Sequence, residues 1–311
     1  MRFFYAYFCW MLNIAFHSIY AHELPEGHRF PMLKYELLPE QLIREGICEK
    51  QNFFEPEKML DLTPILKTHD PEYVYDLLNI TLSQKAARKI GFPLSEVLIE
   101  REIIIADGTI KCCDYALKNG IAMNIAGGTH HAFTNKGEAF CMFNDQAIGA
   151  NYLLEKKLAK RILIIDLDVH QGNGTAEIFK NNPNVFTFSM HGKNNYPFKK
   201  ETSDLDIELD DGISDEAYLS ILKETLPKLI KTHQPDFIFY LSGVDVLATD
   251  KLGKLGLTIN GCKERDRFVL KTCKTNIIPV VCSMGGGYSA DIKIIIEAHA
   301  NTFRLAQDLF F

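Results

Sequence analysis

The sequence predicts an α/β fold: a parallel sheet covered by helices on both faces, with a site along one sheet edge. Three observations carry this. Apolar, β-branched runs alternate along the chain with segments of helical periodicity, the pattern of successive strand–helix units. The strongest of these runs, RILIIDLDVHQGNGT at 161–175, is wholly apolar over 162–165 and then turns abruptly polar at Asp166, Asp168 and His170; the apolar part suits a strand buried on both faces. Three further apolar runs also end in glycine-rich or polar segments. The C-terminal ends of parallel strands lie along one edge, so these segments can converge.

Taken in order, a first strand is expected at 12–16 (LNIAF), followed by a loop at 22–32 punctuated by proline and glycine. A helix is expected at 34–45, where Leu37, Leu38, Gln41 and Leu42 fall on adjacent turns. Another at 68–78 has Asp70 as N-cap and Pro71 in the first turn. A long helix at 96–119 is expected to be interrupted or relaxed near Gly108 and ended by Gly120. A strand at 121–126 leads into Gly127 and Gly128, and a helix at 145–158 precedes the strand at 162–165. Then come a short helix at 177–180, a strand at 185–190 and a loop through Tyr196. A helix at 215–232, a strand at 237–241, a helix at 262–274, a strand at 278–283 and a closing helix at 290–309 complete the chain.

The 311 residues, 47% hydrophobic and 24% charged, match a soluble globular protein with a large core. No repeat or linker interrupts them, so one domain is expected at 12–311, with 1–11 an N-terminal extension. A net charge of −6 argues against a general nucleic-acid binder. The N-terminus, MRFFYAYFCWMLNIAF, reads either as a signal peptide or as an extension ahead of a start at Met11. No other run approaches the ~18 apolar residues of a membrane span. The eight cysteines form no C-x-x-C pair, and in a chain this long they point to a reducing compartment, hence the cytoplasm. Most should pack as small core hydrophobes.

Asp166, Asp168 and His170 alternate along an extended segment and so share one side. Burying two carboxylates beside an imidazole is costly unless a cation or hydrogen bonds offset the lost hydration. Other strand ends supply His130 and His131 (NIAGGTHHAF), Asp245 and Asp250 (FIFYLSGVDVLATD) and Tyr288 (VVCSMGGGYS). Singly, each of these is more often a capping or surface residue; together they describe a cleft. Asp168, His170 and Asp245 give two carboxylates and one imidazole, the donor set of a catalytic zinc with an open position, although iron(II) takes the same donors. His130 and His131 are candidates for general acid and base, oriented by Asp166 and Asn173, with Tyr288 as donor to an oxyanion. These parts describe hydrolysis of an amide or ester. The glycine motifs fit neither a dinucleotide fingerprint nor a P-loop.

In this order and spacing, GGTHHAF, AFCMFND, IDLDVHQGNGT, SGVDVLATDKLGKLGL and GGGYS resemble the histone deacetylase family, above all its class IV branch and bacterial relatives. HSIYAHELPEGHRFPMLKYELL and GFPLSE resemble the bacterial members, and the likeness runs over about 12–305. It implies a three-layer, arginase-like fold with a central, mostly parallel eight-stranded sheet. It also implies one zinc on Asp168, His170 and Asp245, a catalytic pair at His130 and His131 with Asp166 behind the first, and Tyr288 polarising the substrate carbonyl. Phe140, Cys141 and Gly286 would contact substrate in an acyl-lysine tunnel. Asp166, Asp168, His170, Ser189 and Met190 would form a structural potassium site.

Three departures from the family pattern stand out. Asn173 takes the place of the aspartate of class I members, as in classes II and IV. The loop HGKNNYPFKKETSD lacks the double-aromatic FFPGTG and leaves Tyr196 as the candidate second tunnel wall. The acidic rim residue that grips a peptide backbone in class I has no clear counterpart. The implied activity is zinc-dependent removal of an acyl group, short or long, from N-acyl-lysine in a protein or from a related N-acyl amine. The alternative is a small-molecule deacetylase such as an acetylpolyamine amidohydrolase. A ureohydrolase of the same superfamily is disfavoured, because Gln171 and Gly172 follow His170 where a further carboxylate is needed. Neither direct nucleic-acid binding nor a membrane span is expected.

Overall fold

The computed structural model describes residues 11–311. The expected signal peptide or N-terminal extension therefore lies outside the described residues except for Met11, as does Cys9. Eight strands form one sheet: β1 (Asn13–Ala15), β2 (Phe53–Phe54), β3 (Ile121–Asn124), β4 (Ile162–Asp166), β5 (Val185–Gly192), β6 (Leu205–Leu209), β7 (Phe237–Leu241) and β8 (Val280–Ser283). Their order is β2-β1-β3-β8-β7-β4-β5-β6, and every neighbouring pair is parallel. Four consecutive positions, β3, β8, β7 and β4, are thus held by the strands that end in the polar motifs. That adjacency brings sequence-distant loops to one place.

Alternation along the central strands fills two cores. Leu163 and Ile165 of β4 face one side together with Ile238 and Tyr240 of β7, while Ile162 and Ile164 face the other with Phe237 and Phe239. The first face is covered by α1 (Lys34–Arg44), α8 (Asp215–His233), α9 (Ile259–Thr275) and α10 (Ile292–Phe310), which contribute Leu38, Leu226, Leu270 and Phe303 among others. The second is covered by α6 (Asp145–Glu155), through Ala147, Ala150 and Leu153, and by Phe179 of α7 (Asn173–Phe179). The long α5 (Glu96–Asn119) contributes to both. Short helices α2 (Thr63–Leu66), α3 (Pro71–Leu78) and α4 (Gln84–Ile90) precede it.

Several expectations are corrected. The helix at 96–119 is continuous through Gly108, which serves a close approach rather than a break. A Cβ there would lie 2.7 Å from Tyr20 Oη and 3.2 Å from Ala15 Cβ, so only glycine lets α5 sit this close to β1. The helix expected at 177–180 begins at Asn173, because Gly174 and Thr175 are already in helical turns against the His130 carbonyl. The strand expected at 121–126 stops at Asn124, and the helix expected at 145–158 stops at Glu155. Strands β2 and β6 and helices α2 and α4 were not read from the pattern. Both strands lie at sheet edges, where half-exposed residues blur the apolar signal. The seven described cysteines are free and buried, as expected of core residues. No helix among the described residues is long and apolar enough to cross a membrane.

Candidate active site

Asp168 and His170 lie immediately past the end of β4, and Asp245 just past β7, the neighbour with which β4 is in register. Asp168 and Asp245 are 2% and 0% exposed, so both carboxylates are cut off from water. One donor atom from each of the three side chains lies within 4.8 Å of the others. Backbone amides fix the carboxylates: Gly286 N–H donates to Asp168 Oδ2 at 2.9 Å, and Val169 N–H to Asp245 Oδ1 at 2.9 Å. Close glycine packing makes room for them. A Cβ on Gly243 would collide with Asp168 Oδ2, and one on Gly286 with Asp245 Oδ2.

Asp245 Oδ2 is buried and takes no hydrogen bond, although His170 Nδ1 lies 3.2 Å away. A buried carboxylate oxygen left in this state calls for a cation. The electrostatics agree. Burial favours a neutral His170, but its contacts with Asp168 and Asp245 override burial and push its pKa up to about 10. Burial and the Asp168 charge push Asp245 up to about 7. The pocket thus demands positive charge, and its oxygen and nitrogen donors suit a divalent ion such as zinc. Asp168, His170 and Asp245 are the residues that could hold it.

The histidine pair sits on the loop after β3. That loop is pinned by Asp145 at the start of α6, whose Oδ1 accepts from Gly128 N–H at 2.8 Å and Thr129 N–H at 2.9 Å. The first turn of α7 holds it from the other side, with Gly174 N–H donating to the His130 carbonyl at 3.0 Å. The two rings stand 4.1 Å apart between centroids. His130 Nδ1 contacts Asp166 Oδ2 at 2.7 Å, and His131 Nδ1 contacts Asn173 Oδ1 at 2.6 Å. In His130, burial lowers the pKa but the Asp166 and Asp168 charges outweigh it, and the net shift is upward. In His131, burial acts together with the neighbouring His130 and His170, so its pKa falls well below the ordinary imidazole value. One imidazole therefore favours the charged form and the other the neutral form.

Tyr288 lies on the loop after β8. Gly285 there has φ of +70°, a left-handed conformation that favours glycine. The Tyr288 amide donates to Asp250 Oδ2 at 2.6 Å, and its ring centroid is 6.5 Å from that of His170. A cavity of about 390 Å³ opens onto these groups, with Phe140, Cys141, Tyr196 and Gly286 in its lining. The Phe140 ring packs edge-on against Phe30 at 5.1 Å and lies 6.2 Å from Tyr288. Tyr196 stands edge-on to His131 at 5.0 Å, and its hydroxyl donates to Glu138 Oε2 at 2.6 Å. Ser189 and Met190 are buried on β5, with Ser189 in register with Asp166. Ser189 Oγ meets His191 Nδ1 at 2.9 Å.

Three residues close to this site were not singled out from the sequence. Lys34 is fully buried, and its ammonium donates to the Gly285 carbonyl at 3.1 Å and lies 5.8 Å from the Tyr288 ring centroid. Its signal was present: Lys34 begins the same i, i+4, i+8 stripe as Leu38 and Leu42, a charge on an apolar face. Phe30 comes from the 22–32 loop and carries no such signal. Arg265 of α9 is fully buried behind the metal-type residues, donating to the carbonyls of Leu167 at 3.0 Å and Gly243 at 2.7 Å and pairing with Asp266. It ties the loop after β4 to the loop after β7.

Fold and site together define a three-layer α/β protein with an all-parallel sheet, an Asp-His-Asp donor set at the sheet edge and a histidine pair beside it. The histone deacetylase domain model matches residues 28–303, and the chain belongs to that family. A 43% identical relative from Picosynechococcus, itself uncharacterized, aligns over 96% of this chain and 99% of its own length. Histone deacetylase clr6 of Schizosaccharomyces pombe is 32% identical over 85% of this chain and 69% of its own. Among solved structures, an HDAC homologue complexed with SAHA superposes with a TM-score of 0.82 at 23% identity, covering 96% of this chain and 84% of that one. An HDAC homologue from Aquifex aeolicus gives 0.80 at 22% identity, covering 95% and 84%. At those identities the structural matches speak for the fold.

Proposed function

We propose that the chain, as a single catalytic unit over 12–311, is a class IV-like zinc-dependent deacylase that removes an acyl group from N-acyl-lysine or a related N-acyl amine. The observation that carries this is the trio Asp168, His170 and Asp245, whose donor atoms lie within 4.8 Å of one another, with Asp168 and His170 lining the same cavity as both histidines. Family membership supplies the deacetylase chemistry. Zinc on this trio would supply Lewis acidity to the scissile carbonyl and acidify the attacking water.

The side chains then divide the proton work. His131, held neutral by burial and its cationic neighbours, accepts the proton of the attacking water. The water oxygen forms the new bond to the acyl carbon and the C–N bond breaks. His130, held toward the imidazolium by Asp166, gives a proton to the departing amine. The Tyr288 phenol, whose pKa burial raises well above its ordinary value, stays protonated and donates to the carbonyl oxygen as charge develops there. Phe140, Cys141, Tyr196 and Gly286 line the path of the acyl-amine chain. Asp166, Asp168, His170, Ser189 and Met190 are the set we assign to a structural potassium ion, with the Asp166–Ser189 register as support; that ion takes no part in these steps.

The test is acyl release from acetyl-, octanoyl- and myristoyl-lysine peptides and from acetylpolyamines, with and without a zinc chelator. Chelator-sensitive release from at least one N-acyl-lysine is expected. Full activity after metal removal, or inertness of every acyl amine in a zinc-loaded sample, would refute the reading.

A further inference from the structure

Around the outer end of the cavity the charge is of one sign. The lining residues that are exposed to solvent are Arg29, Lys89, Asn194, Phe198 and Lys254. Three of these five are cations and none is acidic. The lining contains one carboxylate, Asp168, and it lies buried at the base. The chain as a whole carries −6, so the cationic mouth runs against the average charge of the molecule.

A carboxylate beside this rim, Glu138, is already engaged. Glu138 Oε1 meets Lys136 Nζ at 3.0 Å and Lys89 Nζ at 3.4 Å, while its Oε2 accepts from Tyr196 Oη at 2.6 Å. One acid facing two lysines leaves a positive surplus and no free acceptor for a substrate cation. Arg29 lies with its guanidinium carbon 5.0 Å from the Phe140 centroid, a stacking contact that leaves its charge uncompensated. Lys254 has no side-chain partner among the described residues.

We propose that this mouth selects an acylated lysine carried in an acidic peptide segment, with Arg29, Lys89 and Lys254 as the specificity-determining residues. The proposal rests on the deacylase reading and deepens it. A lysine-rich tail or an acylated polyamine brings cations to a rim that repels them. A segment with aspartate or glutamate beside the acyl-lysine brings opposite charge to the same rim. Phe198, 91% exposed at the same rim, offers an apolar contact for the segment.

The experiment uses three nine-residue peptides that share a central acyl-lysine and differ only in flanks: Asp/Glu, Ser/Gln or Lys/Arg. Binding of each is measured by competition against a fluorescent peptide, and kcat/KM in parallel, at 50 mM and 1 M NaCl with zinc-loaded protein. The acidic peptide is expected to lead the basic one by about tenfold or more at low salt, and the lead to collapse at 1 M. In the double charge reversal Arg29→Glu with Lys254→Glu, the order should invert. Equal binding of the three peptides, or preference for the basic one, overturns the proposal. Hydrolysis and binding report separately: if no peptide is cleaved, the deacylase reading fails, while the binding order still decides the charge selection.

Discussion

Asn173→Asp tests the division of labour between the two histidines most sharply, because the protein contains its own control. His130 and His131 are both buried, and each presents Nδ1 to a side-chain oxygen, at 2.7 Å in one case and 2.6 Å in the other. The partners differ by one charge, and the shifts have opposite sign: upward for His130, well downward for His131. The substitution gives His131 the carboxylate that His130 already has, with almost no change of shape. A carboxylate at that distance raises an imidazole pKa by about one to three units, each worth about 1.4 kcal/mol. The sign follows from the role. A base works in its neutral form, so raising its pKa removes activity from the acid side.

The acid limb of kcat/KM should therefore move up by about one to three pH units. The ratio of wild type to variant should be greatest below pH 6 and should close toward pH 9. Bound zinc, measured by atomic emission, should be unchanged. The companion expectation is that His131→Ala damages turnover more than His130→Ala. An acid limb that stays put in a folded, zinc-loaded Asn173→Asp enzyme would refute the argument. So would loss of that limb in His130→Ala but not in His131→Ala.

Asp168→Ala, His170→Ala and Asp245→Ala should each lose most bound zinc and nearly all activity; full occupancy in any two, by metal analysis of dialysed protein, would sink the ligand assignment. Tyr288→Phe should keep fold and zinc but lower kcat by about a hundredfold or more, the range for losing an oxyanion donor, and near-normal turnover would remove the phenol from the chemistry. Arg265→Met should cost about 3–5 kcal/mol in urea unfolding, because it strands Asp266 in a fully buried site and frees the carbonyls of Leu167 and Gly243. A loss under 1 kcal/mol would show that the two loops hold without it.

Much of the site was legible because its chemistry is written in short local motifs. The D-x-D-x-H run after an apolar strand announces a charged strand end, and the Gly-Gly and Gly-Gly-Gly segments announce tight loops at the other strand ends. What local pattern could not reach were contributions from elsewhere in the chain. Phe30 enters from an irregular loop, and Lys34 sits on a helix whose apolar stripe would place a charge in the core. That charge is tolerated because the Gly285 carbonyl and the rings of Phe30, Tyr35 and Tyr288 surround it. Gly108 misled because glycine weakens an isolated helix, and the close approach it permits to Tyr20 and Ala15 is visible only once α5 is packed.

By itself the sequence determined the α/β class, the long helices, the central strands and the residue types of the metal and histidine sets. Those follow from periodicity and from the cost of burying unpaired charge, which act over a few residues. Tertiary structure decided the strand order that sets β3, β8, β7 and β4 side by side, and with it the 4.8 Å convergence of Asp168, His170 and Asp245. It decided which way each histidine is pushed, His130 toward the charged form and His131 toward the neutral one, since that depends on what faces each ring across the pocket. It also decided the cationic mouth, where Arg29, Lys89 and Lys254 come from three separate segments of the chain. A net charge of −6 carries no sign of where like charges gather; only folding brings these three to the lining of one cavity.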